Sequence, residues 1–155
     1  MDQYELKQAF INGKRVYGTL IASPSPKWAA EIPKTGVDFV FIDTEHMPLD
    51  RSTMSWMCQA YGAKGIAPVV RISSPNPYEA TAALDAGAAG VVSPYLETIE
   101  EVNALRGAVK YRPLKGKRLQ EVLAGRENLS EKESAYLKQY NDGHLLILNI
   151  ESRFA

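Results

Sequence analysis

Five short apolar runs, spaced by stretches of helical character, constrain this chain more than any other feature of its sequence. The runs are Val16–Ala22, Val37–Asp43, Ala67–Ile72, Ala89–Ser93 and His144–Ile150. Val37–Asp43 (VDFVFID) is almost continuously apolar, the pattern of a strand buried on both faces. Between the runs lie stretches that predict helices. In Ser52–Lys64, Met54, Met57, Cys58 and Tyr61 fall on one helical face, and Gly65 suits the helix end. Pro77–Ala86 opens with a proline at a permitted first-turn position and stops at Gly87. Thr98 with Glu101, and Ser130 with Glu133, form capping boxes that start helices running to Lys110 and Asn141. Lys27–Lys34 is also read as helical, and Arg112–Arg118 as a basic loop. Strands alternating with helices imply βαβ crossovers and a parallel sheet, an α/β fold. No linker or low-complexity tract divides the chain.

Composition removes several alternatives. Lys+Arg and Asp+Glu each number 18, so the chain lacks the basic excess that drives phosphate neutralisation, and no nucleic-acid partner is expected. One cysteine excludes an internal disulfide and points to a reducing, cytoplasmic setting. No apolar run is long enough to span a membrane. The N-terminal MDQYELKQAF has no apolar core of a secretion signal.

In parallel α/β folds, ligands bind beyond the carboxyl ends of the strands. There the sequence carries Asp43-Thr44-Glu45-His46, then Arg71, then Ser93-Pro94-Tyr95, then Asn149-Ile150-Glu151-Ser152-Arg153. Polar groups at the same end of successive strands are expected to converge. Glu151 reads either as a solvated loop acid or as a ligand for a hard divalent cation. His46 reads either as a loop histidine satisfied by a nearby acid or as a general base, with Asp43 and Glu45 able to hold its tautomer. Arg71 reads either as half of an ion pair with Asp43 or Glu45, or as a clamp on a substrate carboxylate and a donor to a developing oxyanion. His144 starts a strand, so it is expected at the opposite end as a structural residue. Cys58 is expected to pack in the core. Asp85, at a helix end, reads by pattern as a surface residue. The glycines of DAGAAG lead into a strand and make no phosphate cradle.

The stretches VDFVFIDTEHMPLD, GIAPVVRI, ALDAGAAGVVSPYLETIEEV and LILNIES together resemble the HpcH/HpaI class II aldolases of the phosphoenolpyruvate/pyruvate superfamily. The resemblance covers most of Val16–Ser152. It implies a (β/α)₈ TIM barrel, of which about five strands are present, with residues 1–155 as the N-terminal portion of one barrel domain. It implies that His46 is the general base, that Arg71 binds the pyruvyl group and stabilises the enolate, and that Asp85 raises the basicity of the histidine. It implies that Glu151 is the first of two carboxylates on a divalent metal, Mg²⁺, Mn²⁺ or Co²⁺. Asn149 stands where such aldolases usually have a substrate-contacting Gln.

The reaction implied is retro-aldol cleavage of a 4-hydroxy-2-oxo acid to pyruvate and an aldehyde, in a cytoplasmic homo-oligomer. Aromatic-catabolic and sugar-acid aldolases share these motifs, so the aldehyde half stays open. The second metal carboxylate and three closing strands are expected beyond Ala155, since a barrel needs about 250 residues. A truncated remnant that acts as an assembly module, or citryl-lyase-like chemistry, are the competing expectations.

Overall fold

The computed structural model describes residues 1–155. It contains one five-stranded sheet, parallel throughout, with the strands in sequential order. The strands are β1 (Gly18–Leu20), β2 (Phe39–Asp43), β3 (Ala67–Arg71), β4 (Gly90–Ser93) and β5 (Leu145–Leu148). The helices are α1 (Gln3–Ile11), α2 (Pro26–Glu31), α3 (Arg51–Gly62), α4 (Pro77–Asp85), α5 (Ile99–Lys110), α6 (Gly116–Leu123) and α7 (Glu131–Tyr140).

Strand periodicity divides the apolar side chains into two cores. Val40 and Ile42, Val70 and Ile72, and Val91 face α3, α4 and α5, where they meet Met54, Met57, Tyr61, Ala80, Ala83, Leu105 and Val109. The alternate residues Ala67, Val69, Ala89 and Val92, with Phe39, Phe41, Leu145 and Ile147 packed beside them, line the other face. Because side chains alternate at every step, Asp43 and Arg71 belong to this second face. They are register partners, the last residues of two adjacent strands.

Helix starts follow local chemistry. The Thr98 and Ser130 hydroxyls accept from the third helical N–H groups of α5 and α7, and Glu101 and Glu133 return the bond, as the capping boxes predict. Gly87, at φ +100, lets the chain leave α4 in a conformation other residues rarely adopt.

The structure departs from the sequence reading in three places. The first strand is only Gly18–Leu20, shorter than Val16–Ala22. Helix α1 has no counterpart in the sequence reading. Its capping box is Asp2 with Glu5, and its only buried side chains are Leu6 and Ala9, too few to make a periodic stripe. Leu6 closes the second of these cores at the end of the sheet where the strands begin, while the Met1 amino group donates to the Asp38 carbonyl and the Ala67 N–H to the Met1 carbonyl. The stretch read as a basic loop ends in a helix, because α6 begins at Gly116. Leu119 and Leu123 of α6 pack against Gly107 of α5, so a tertiary contact decides what the charged local sequence hides. No helix is long and apolar enough to cross a membrane.

Candidate functional site

Asp43 organises the turn after β2. Its Oδ1 accepts from the Glu45 N–H at 3.0 Å and the His46 N–H at 3.4 Å, the self-bonding habit of Asp in turns. The same carboxylate is gripped by Arg71, Nε to Oδ1 at 2.9 Å and Nη2 to Oδ2 at 2.6 Å. Burial pushes the Asp43 carboxyl up, but the guanidinium and the two backbone N–H groups outweigh it, leaving the carboxyl below its usual range. The Arg71 guanidinium is held above its ordinary value by bonding to Asp43, with further support from the charges of Glu45 and Glu151. The Phe41 ring lies under it, 5.6 Å from the guanidinium carbon.

Glu45 turns inward from that loop. Its side chain is only 7% exposed, and Oε2 sits 3.0 Å from Arg71 Nη1 and 3.6 Å from His46 Nε2. That oxygen is buried and has no hydrogen-bond partner. His46 itself is exposed.

Glu151 approaches from beyond β5. Its Oε2 accepts from the Tyr95 backbone N–H at 2.9 Å, and its Oε1 from the Asn149 side-chain amide at 3.3 Å. Tyr95 has φ +53, the only non-glycine residue of the chain with positive φ, in the left-handed region that costs a side-chain-bearing residue energy. Ser152 donates to Glu97 Oε1 at 2.6 Å, a second tie between the loops after β4 and β5.

The structure therefore brings His46, Arg71, Asn149 and Glu151 to one end of the sheet. It does not bring Asp85 there. Asp85 ends α4, on the side where β4 begins, is exposed, and pairs with Arg112. Its distance in the fold from His46 follows from helix direction, since a crossover helix runs back against its strands. His144 also lies at the start of its strand, and Cys58 is buried, both as the pattern predicts. The left-handed backbone of Tyr95 carried no signal in its residue type; Glu45 was read as a partner of either His46 or Arg71, and the structure adds that one oxygen faces both.

Three carboxylates, Asp43, Glu45 and Glu151, stand near a single guanidinium, an excess of negative charge that suits a cation. Glu151 is a hard oxygen donor of the kind Mg²⁺ or Mn²⁺ takes. The ligand count is incomplete, since no group of three His, Cys, Asp or Glu side chains is placed to hold a metal ion. A pocket lined by Thr44, Asp50, Met54, Ile72 and Glu79 opens between α3 and α4, on the opposite face of the sheet from this site. Its acids are already satisfied, Asp50 by the Thr53 N–H and Glu79 by Ser73.

Comparison with known proteins places these observations. The model of the HpcH/HpaI aldolase/citrate lyase family matches residues 17–155. A 2-dehydro-3,6-dideoxy-6-sulfogluconate aldolase from Pseudomonas putida is 31% identical over 138 residues, 89% of this chain and 53% of the relative. A 4-hydroxy-2-oxo-heptane-1,7-dioate aldolase from Salmonella dublin is 28% identical over 149 residues, 96% of this chain and 56% of the relative. The crystal structure of the citrate synthase SbnG superposes with TM-score 0.74 at 28% identity, covering 95% of this chain and 56% of that one. The chain thus spans about half the length of the curated relatives it matches. The five sequential parallel strands are part of the TIM-barrel-type fold of its structural neighbours.

Proposed function

The chain belongs to the HpcH/HpaI aldolase/citrate lyase family, and from that premise we propose that it carries half of the site of a metal-dependent carbon–carbon lyase. The substrate class is a 4-hydroxy-2-oxo acid, cleaved to pyruvate and an aldehyde. The observation that carries the reading is the meeting of Arg71, His46 and Glu151 at the carboxyl ends of β3, β2 and β5.

Arg71 is the pyruvyl anchor. A guanidinium has five N–H donors. Three face Asp43 and Glu45, which leaves two for the substrate carboxylate and 2-oxo oxygen. The two acids lock the fork in place, so its positive charge already stands where negative charge develops as C3–C4 breaks. His46 takes the proton of the 4-hydroxyl, the C3–C4 electron pair moves into the pyruvyl fragment, and the aldehyde departs. The proton held by His46 then passes to C3, giving pyruvate and restoring the base. Asn149 holds Glu151 and offers a shorter amide where relatives are expected to use Gln.

Glu151 is the metal ligand contributed by this chain, with Asn149 and the Tyr95 N–H orienting its carboxylate. A divalent cation, Mg²⁺, Mn²⁺ or Co²⁺, supplies Lewis-acid polarisation of the 2-oxo group when bound. Its remaining ligands would come from the substrate, from water or from another polypeptide segment brought to the site. Asp85 acts on a histidine only across a contact between copies of the chain, since within one copy it pairs with Arg112. A homo-oligomer is part of this proposal for that reason.

The test is pyruvate release from 4-hydroxy-2-oxo acids with and without a chelator, for the chain alone and for the chain joined to the remainder of a family barrel. Metal-dependent release is expected only from the joined protein. Unchanged release in His46→Ala and Arg71→Ala would refute the mechanism. One other reading has specific support: the SbnG likeness favours citryl-type carbon–carbon chemistry. Citrate formation from oxaloacetate and an acetyl donor, assayed in parallel, would select it.

A further inference from the structure

The acid expected to serve His46 by resemblance, Asp85, stands at the wrong end of the sheet within one chain. The acid that does approach the imidazole is Glu45, which the family resemblance gave no part. Three observations bear on it. Its carboxylate is almost fully withdrawn from water, at 7% exposure. Its Oε2 is buried and makes no well-aligned hydrogen bond, and its charge is balanced by the ion pair with Arg71. That one atom lies between two cationic or proton-bearing groups, Arg71 Nη1 at 3.0 Å and His46 Nε2 at 3.6 Å.

A carboxylate oxygen is an acceptor only. An imidazole nitrogen that faces it is favoured in the form that carries hydrogen, and the other ring nitrogen then keeps its lone pair. The separation of 3.6 Å is longer than a hydrogen bond. The imidazole is exposed, so a small rotation closes the gap, and contacts of this kind tighten when substrate fills a site. Arg71 bears on the same oxygen from the other side and keeps it from turning away. Asp43 does not compete for the ring, since its oxygens are taken by Arg71 and by the backbone N–H groups of Glu45 and His46. Glu151 faces Arg71, with its own oxygens on Tyr95 and Asn149.

We propose that Glu45 is a positioning residue whose shared oxygen couples Arg71 to His46, holding the hydrogen on His46 Nε2 and leaving Nδ1 as the proton-accepting nitrogen. The inference rests on the lyase reading only for its consequence in catalysis. The geometry that selects the tautomer belongs to the chain itself.

The test is long-range proton–nitrogen correlation spectroscopy of the ¹⁵N-labelled chain at a pH where the imidazoles are neutral. The chain has two histidines, so His46→Asn assigns the signals. In the unsubstituted chain, His46 is expected to show one tautomer, with the hydrogen on Nε2. Glu45→Gln keeps that pattern, because Arg71 selects the amide oxygen to face it. Glu45→Ala loses the single-tautomer pattern and gives the mixture of a free imidazole. If Glu45→Ala does not fold, Glu45→Asp, one methylene too short to reach the ring, is expected to give the same mixture. A free-imidazole mixture in the unsubstituted chain, or hydrogen on Nδ1, would overturn the proposal. In the joined, active protein, Glu45→Gln, which keeps an acceptor for both Arg71 and the imidazole, is expected to keep most of kcat, whereas Glu45→Ala is expected to lower it. Absence of activity in that protein would count against the lyase reading and leave the spectroscopic result standing.

Discussion

Replacing Arg71 by Met tests whether the site is built around one buried cation. Arg71 makes two charge-assisted bonds to Asp43, at 2.9 and 2.6 Å, and a 3.0 Å ion pair to Glu45. The side chains of Arg71, Asp43 and Glu45 are 18%, 4% and 7% exposed, so solvent screens these contacts little. Each bond to a charged group contributes about 1.5–3 kcal/mol. Breaking a buried pair by removing one partner costs about 3–5 kcal/mol, because the remaining charge is stranded. Here two carboxylates are stranded side by side, so the upper part of that range is expected. The deficit depends on pH. The Asp43 carboxyl is depressed in the folded chain from its ordinary 3.8, so its stabilisation is present above that value and lost as the pH falls through the folded one. Arg71→Met forfeits it, and the variant lags most near pH 7 and less near pH 3, below the ordinary value. Urea unfolding followed by circular dichroism at both pH values measures the two gaps. A loss under about 1 kcal/mol at pH 7, or a gap that widens in acid, would refute the buried-pair account. Arg71→Lys should recover part of the loss, since it keeps the charge and gives up the two-pronged grip.

Three further outcomes follow from the packing. A Cβ placed on Gly90 would stand 2.8 Å from the Leu145 Cβ, which sits on the neighbouring strand and cannot swing aside; Gly90→Ala should cost about 1–3 kcal/mol in urea unfolding, and a neutral result would mean β4 and β5 are less closely packed. Burial pushes the Cys58 thiol up to about 12, so native chain should react with a thiol reagent only as fast as it opens, and a rate like that of free cysteine would show the helix face is not closed. Burial, then the charges of Arg112, Lys110 and Lys7, lower the His144 pKa from 6.5; its neutral form favours folding, so stability should fall as pH drops below 6.5 toward the folded value, and His144→Asn should flatten that limb of the stability curve.

Much of the site was legible because strand periodicity and strand ends are local properties. VDFVFID and APVVRI each alternate between faces, so Asp43 and Arg71 had to finish on the same side once the strands paired in parallel. The position of Glu151 just after LLILNI carried the same information. The capping pairs Thr98–Glu101 and Ser130–Glu133 fixed two helix starts by side chains only three residues apart. Asp85 was different. The family motif nominated it, while its place at the end of α4 set it against Arg112, at the opposite end of the sheet from His46.

By itself, the sequence determined the alternating architecture, the sheet's two apolar faces and the set of ionisable groups at its carboxyl end, because each depends on spacing along the chain. Tertiary structure alone decided what those groups do to one another. Only the folded chain puts the Glu45 oxygen between Arg71 and His46. Only there does the Tyr95 backbone turn left-handed and bring its N–H to Glu151, 56 residues away. Helix α1 likewise exists for a long-range reason, since Leu6 finds its apolar partners on β3 and β4. Contacts between residues remote in sequence leave no periodic mark, and in this protein they set the orientation and the charge environment of the site.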